Sequence, residues 1–425
     1  GNTGYTYILK EDGTVSSLGF GGYGVLGNGK TTTTNEVQDV QNLKDVVQIV
    51  GAQNGHFGAA VRTDGTVWAW GLNTDGQLGN SKNENSSIPV SVGYPPTTNF
   101  DVQYAEVQKS ETGTTVRKYE DSSMPRSLTG SHAIAEDEQL VIDTSKLIGE
   151  QIFGFNLITD KSSSYSNAKD IEISSFDETL FTIKNGNTIV PNQNGKYGTG
   201  VVIIRDTDPT RNFVGIIRVQ VKPKDAVATP MVSAKQSSTV ALKADGTVWT
   251  WGQNTYGQLG NGVSNGTVVY PEKIDSLSDI IKIAAAGQTA VALKTDGTVW
   301  AWGRNDNGQL GNGTTVSSNV PVQVLKGEQN QGNADKTYLE NIVAIAAGGL
   351  NDEKIFVVAL DSNGNVYGFG SNEYRQLKIA NDASYNTPVV SPAVNAVDVA
   401  AGRGATVYTL TSNGLVYALG KNYAY

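Results

Sequence analysis

The chain has 425 residues, with 49 glycines, 12 prolines, 18 Tyr, 6 Trp and only 17% charged residues. That is room for two or three domains or one repetitive domain with an insertion, and the profile suits short strands joined by tight turns. A net charge of −9 argues against a nucleic-acid partner, and the absence of cysteine excludes disulfides and thiolate metal sites. The two histidines, His56 and His132, lie far apart, and no apolar run is long enough to span a membrane.

Taken in chain order, the first expected element is a strand from Tyr5 to Lys10, turned by Asp12-Gly13 into a second strand. The opening G-N-T-G-Y-T-Y has neither a basic leader nor an apolar core, so no targeting segment is expected here. Next comes G-V-L-G-N-G-K-T, Gly24 to Thr31, which fits the phosphate-loop pattern G-x-x-x-x-G-K-[ST], overlapping G-F-G-G-Y-G, Gly19 to Gly24, which spells G-x-G-x-x-G. A nucleotide loop needs a helix whose N-terminus faces the anion, and T-T-T-N-E-V-Q-D-V reads instead as loop and strand.

The same phrase returns downstream. Hairpin glycines recur at Gly13, Gly65, Gly246, Gly297, Gly364 and Gly414, in steps of 52, 181, 51, 67 and 50 residues. Each copy alternates apolar residues, turns on Asp-Gly or Asn-Gly, and runs into a strand of the V-W-x-W-G type. The Asp before each glycine, as in Asp12, Asp64, Asp245 and Asp296, is a turn former rather than a catalytic acid. G-Q-L-G-N-S-K-N from Gly76, G-Q-L-G-N-G-V-S from Gly257 and G-Q-L-G-N-G-T-T from Gly308 match the apparent phosphate loop, so its Lys-Thr is an accident of one copy. A P-V-x-V strand such as Pro321 to Val324 and a lead-in strand such as Ile280 to Gly287 complete four strands per period, the signature of a propeller blade. The pairs Trp68 and Trp70, Trp249 and Trp251, and Trp300 and Trp302 each point to one sheet face and read as wedges between blades, a ligand-stacking platform being the alternative. Gly65, Gly246 and Gly297 read as structural.

The long step leaves roughly 130 extra residues, the size of a domain. Residues 1–93 and 226–425 are therefore expected to form an all-β propeller of four-stranded blades, interrupted by an inserted β-sandwich at 94–225. Six repeats are visible. Strands are expected at Gln139 to Thr144, Gln151 to Ile158, Asp170 to Ser174, Leu180 to Ile183, Val201 to Arg205 and Val214 to Val221. Alternation in V-Q-Y-A-E-V-Q, within 94–138, suggests strands bracing the two domains. Asp206 and Asp208, in R-D-T-D-P-T, are a weak calcium candidate, and His56, before a second strand, is expected to be hydrogen-bonded and structural.

The stretch D-G-T-V-W-A-W-G-R-N-D-N-G-Q-L-G-N-G, Asp296 to Gly313, resembles the repeat of the regulator of chromosome condensation family, and the insert resembles bacterial immunoglobulin-like domains. The resemblance implies a propeller, usually of seven blades, that binds proteins. Its members include an exchange factor for the Ran GTPase, a secreted inhibitor of beta-lactamase and a plant ultraviolet-B photoreceptor. With no catalytic motif and no cofactor expected, the resemblance to bacterial members points to a non-enzymatic extracellular surface protein serving adhesion, protein binding or filament assembly. Its partners would be a protein, a cell-surface glycan or further copies joined by strand addition; a secreted inhibitor or regulator capping an enzyme is the alternative. Because the repeats begin at a second strand and stop after a third, the ring is expected to need completion from a longer chain or a neighbouring one.

Overall fold

The structure is a computed structural model. It describes residues 4–10, 12–52, 55–63, 65–93, 115–118, 131–135, 138–141, 171–175, 180–186, 188–192, 198–206, 214–222, 227–235, 237–329, 337–349, 354–377, 381–393, 395–402, 404–411 and 414–421.

Each repeat folds as one antiparallel sheet, with its strands side by side in chain order. Blade 1 comprises Tyr5–Leu9, Val15–Gly19 and Thr34–Asp39; blade 2 comprises Val46–Gly51, Phe57–Arg62, Val67–Gly71 and Ser86–Ser91. Blade 3 runs Met231–Lys235, Ser238–Leu242, Val248–Gln253 and Thr267–Lys273, and blade 4 runs Ile280–Ala286, Thr289–Lys294, Val299–Gly303 and Ser318–Gln323. Blade 5 holds Ile342–Gly349, Ile355–Asp361, Val366–Gly370 and Tyr385–Val390, and blade 6 holds Ala396–Ala401, Thr406–Thr411 and Val416–Gly420. Among the described residues, blades 1 and 6 each contribute three strands, in the register of the repeat the second to fourth of blade 1 and the first to third of blade 6.

The hairpin turns are built as the Asp-Gly and Asn-Gly pairs require. Gly297 sits at φ +79°, where a side chain would be strained, and its turn is closed by Asp296, whose carboxylate accepts the Thr298 N–H (2.9 Å) and hydroxyl (2.6 Å). The Gly297 carbonyl then accepts the Ile342 N–H at 3.1 Å, tying this hairpin to the first strand of blade 5. Gly13, Gly246 and Gly364 make the same bond to blades 2, 4 and 6.

Blades pack face to face, and a separate buried cluster fills each junction. Ala60 and Trp70 of blade 2 meet Val15, Val40 and Leu43 of blade 1; Phe57, Ala59 and Val67 on the opposite face meet Val232, Trp249 and Trp251 of blade 3. Junctions 3–4, 4–5 and 5–6 repeat the arrangement. The blade 2–3 junction forms although the insertion separates its halves in sequence, because the apolar face of blade 2 has no other cover.

The inserted residues form two further four-stranded sheets. One orders Phe181–Lys184, Thr188–Pro191, Glu138–Val141 and Thr115–Lys118; the other orders Ile171–Ser175, Gly198–Asp206, Val214–Lys222 and Ser131–Ala135. Within 94–138, Thr115–Lys118 and Ser131–Ala135 are each joined in parallel to an insert strand. The strand Thr188–Pro191 was not anticipated, and the expected strand from Gln151 to Ile158, with V-Q-Y-A-E-V-Q, lies outside the described residues.

Candidate functional site

After Val15–Gly19 the chain makes a single 3-10 turn, Gly22–Gly24, and then the strand Thr34–Asp39, so no helix follows the G-V-L-G-N-G-K-T loop and Lys30 points to solvent. That loop joins the third and fourth strands of its blade. In the later blades it is held by a buried asparagine. Asn305 accepts the Leu310 N–H at 2.8 Å on Oδ1 and donates from Nδ2 to the Thr314 and Val316 carbonyls, both at 3.0 Å. Asn73, Asn254 and Asn372 accept the equivalent leucine N–H and donate to the carbonyl nine residues on. Buried polar atoms need partners, and one asparagine satisfies backbone groups at both ends of the loop.

The stapled loop is the seat for the next blade. Trp70, Trp251 and Trp302 are fully buried, and their indole N–H groups donate to the carbonyls of Val25, Gln77 and Gln258 in the preceding loop, at 2.9, 2.9 and 3.0 Å. Gly79, at φ +64°, lies under the Trp251 ring, and a Cβ there would come within 2.7 Å of its Nε1. The partner tryptophans lie nearer the hairpins: Trp68 and Trp300 are half-buried and Trp249 buried, with N–H donation to Thr66, Thr298 and Thr247. Lys243 lies 5.0 Å over the Trp249 ring.

These loops share one face of the blades with the turns joining first and second strands, and across each odd-to-even junction a loop tyrosine meets a ring or cation. Tyr23 of blade 1 stacks on His56 of blade 2 at 5.2 Å, with Phe20 5.1 Å from the same imidazole. Tyr256 of blade 3 lies 4.6 Å under the Arg304 guanidinium of blade 4, which also holds Asp306 at 2.6 Å. Tyr374 of blade 5 lies 4.4 Å from the Lys421 ammonium of blade 6. All three tyrosines occupy the same place in the repeat; blades 2 and 4 carry Asp75 and Asn307 there. Tyrosine, with a large ring and a polar tip, is well suited to protein contacts, and cations over its face are held by the ring quadrupole.

His56 departs from expectation: its ring packs against Tyr23 and Phe20, and Nδ1 is buried without a hydrogen-bond partner. Burial lowers its pKa below the ordinary histidine value. Of the hairpin acids, Asp12, Asp245 and Asp296 each bind their own Thr hydroxyl, on separate blades, and Asp64 lies outside the described residues. The Thr14 hydroxyl holds the Asp12 carboxyl below the usual carboxylate range. Gly65 and Gly246 hold positive φ in their turns. Asp206 ends a strand of the insert and Asp208 lies outside the described residues; among the described residues no three His, Asp or Glu side chains are grouped to hold a metal. His132 falls on the strand Ser131–Ala135.

A family model described as the Regulator of chromosome condensation (RCC1) repeat matches residues 64–109, 245–293, 296–350 and 363–408, and a second model of that repeat matches 47–77 and 280–309. The chain belongs to the RCC1-repeat family. Among curated relatives of this RCC1-repeat chain, human E3 ubiquitin-protein ligase HERC2 is 37% identical over 145 residues, covering 33% of the chain and 3% of that protein. Human probable E3 ubiquitin-protein ligase HERC6 is 30% identical over 210 residues, 47% of the chain and 19% of that protein. The chain thus spans a small fraction of the curated relatives it matches. The solved structure of human WBSCR16 superposes with a TM-score of 0.53 at 16% identity, covering 94% of the chain and 67% of that structure, a likeness of fold.

Proposed function

We propose that this RCC1-repeat propeller is a non-enzymatic protein-binding scaffold displayed outside a bacterial cell, and that it binds its partner through the loop face. The observation that carries the binding role is the set of loop tyrosines, Tyr23, Tyr256 and Tyr374, backed by His56, Arg304 and Lys421 on one face. Aromatic residues held rigid by packing lose little conformational entropy on binding and are the usual anchors of protein interfaces. The D-G-T-V-W-A-W-G repeat, the absence of cysteine and the β-rich insert support an extracellular setting. Ligase activity does not follow from the relatives named for it, since the shared region is a small part of each.

The clustering of aromatics on one face also favours the second reading, a secreted cap over a partner enzyme. Both readings are tested by placing a photo-crosslinking amino acid on the loop face at Asp75 and, separately, on the hairpin face at Asp245, in intact producing cells. The expected result is a defined adduct from position 75, lost when all three tyrosines are changed to Ala. Adducts from position 245 alone would sink the loop-face assignment; failure of surface labelling would sink the extracellular one.

A further inference from the structure

The loop joining the third and fourth strands of blade 3 closes differently from its counterparts. In blades 2 and 4 the residue eleven places after the staple asparagine is Glu84 or Val316, whose carbonyl accepts from that asparagine's amide at 3.1 and 3.0 Å. Blade 3 has Asn265 there, followed by Gly266, both exposed and at positive φ, +74° and +87°. Two backbone bonds hold this turn: the Asn265 N–H donates to the Asn254 carbonyl at 2.7 Å, and the Asn254 N–H donates to the Gly266 carbonyl at 3.0 Å.

An Asn-Gly peptide bond carries its own chemistry. The glycine nitrogen, on losing its proton, attacks the asparagine Cγ, and no Cβ on glycine hinders the approach. Ammonia leaves and a cyclic succinimide forms. Water then opens either carbonyl, giving aspartate or, with the main chain rerouted through Cβ, isoaspartate. The sum is asparagine plus water to aspartate or isoaspartate plus ammonia, with no oxidant, metal or enzyme required.

The other Asn-Gly pairs among the described residues of the blades are locked against this reaction. Each glycine N–H donates to a carbonyl: Gly29 to Ser87 (2.9 Å), Gly262 to Asn319 (2.8 Å), Gly313 to Asn386 (2.8 Å) and Gly364 to Asp361 (3.1 Å). The asparagine side chains are held as well, Asn28 and Asn312 accepting the N–H two residues on and Asn261 donating to Glu272 at 2.6 Å. Among the described residues, neither the Asn265 side chain nor the Gly266 N–H has a hydrogen-bond partner.

We propose that Asn265 is a self-modifying site, converted through Gly266 to aspartate and isoaspartate while the fold protects Asn28, Asn261, Asn312 and Asn363. The product places a carboxylate on the loop that carries Tyr256. Isoaspartate also inserts a carbon between the two backbone bonds to Asn254, pulling them out of register. The site stands whether or not the loop face binds a partner.

The test incubates the full chain at mildly alkaline pH and physiological temperature, then maps its peptides by mass spectrometry with electron-transfer fragmentation, which separates aspartate from isoaspartate. Asn265 is expected to react at least about tenfold faster than the other four, since each of those must first open a backbone hydrogen bond. Gly266→Ala, where a Cβ meets nothing within 4 Å, is expected to slow reaction at Asn265 by about tenfold or more and leave the other four unchanged. In denaturant the five rates of the wild-type chain are expected to converge. A folded chain in which Asn265 is no faster than the others, a Gly266→Ala chain that reacts there as wild type does, or a denatured chain that keeps the preference would each overturn the proposal.

Discussion

At the scale of single residues, the buried asparagine of each loop supplies more than its size suggests. Asn305→Ala strands the Leu310 N–H and the Thr314 and Val316 carbonyls, and is expected to cost about 2–4 kcal/mol in chemical denaturation. A loss below about 0.5 kcal/mol would show that the loop is held otherwise. Trp251→Phe is expected to cost about 1–2 kcal/mol, since blade 5 already uses Phe369 in that place, whereas Trp251→Ala opens a cavity at the blade 2–3 junction worth about 3–5 kcal/mol. His56 gives a pH signature. Its folded pKa lies below the unfolded value, so the unfolded chain takes up the proton first, and stability is full above about pH 6.5 and falls as the pH drops towards the folded value. The stability difference between wild type and His56→Phe, followed by thermal melts from pH 7.5 to about pH 5, is expected to move against wild type on acidification. A difference independent of pH would refute the burial of a neutral imidazole.

Elements were legible where chemistry is local. Alternation, the Asp-Gly or Asn-Gly turn and the V-W-x-W-G strand lie within about fifteen residues, and each maps onto its observed hairpin. The glycine-rich loop, read alone, imitates a phosphate site; what it lacks is a helix, because its glycines serve turns and close approach to the following blade. Replacing Gly79 by Ala is therefore expected to cost about 2 kcal/mol or more, from both its φ and the indole above it, well beyond the roughly 1 kcal/mol of a strained turn alone. Equilibrium unfolding of Gly79→Ala beside Gly262→Ala, where a Cβ meets nothing within 4 Å at φ +86°, separates the two contributions. Within the insert, strands were read from composition, but their mixed parallel pairing was not, since pairing partners such as Arg218 and Ser131 share no local pattern.

For the whole molecule, stability is set by junctions, and among the described residues blades 1 and 6 take part in one each. At submicromolar chain concentration the amides of Tyr5–Leu9 and Val416–Gly420 are expected to exchange at least about tenfold faster than those of Val299–Gly303, which lies between two packed faces. Equal protection in hydrogen-exchange mass spectrometry would mean the ends are covered. The sequence by itself determined the repeat, the hairpins and the blade order, because turn chemistry and side-chain alternation act over neighbours along the chain. Only the tertiary structure decided that Trp251 bonds the Gln77 carbonyl 174 residues away and that tyrosines of odd blades meet His56, Arg304 and Lys421. Those outcomes depend on which face of one blade meets the next, and that packing carries no fixed spacing along the chain.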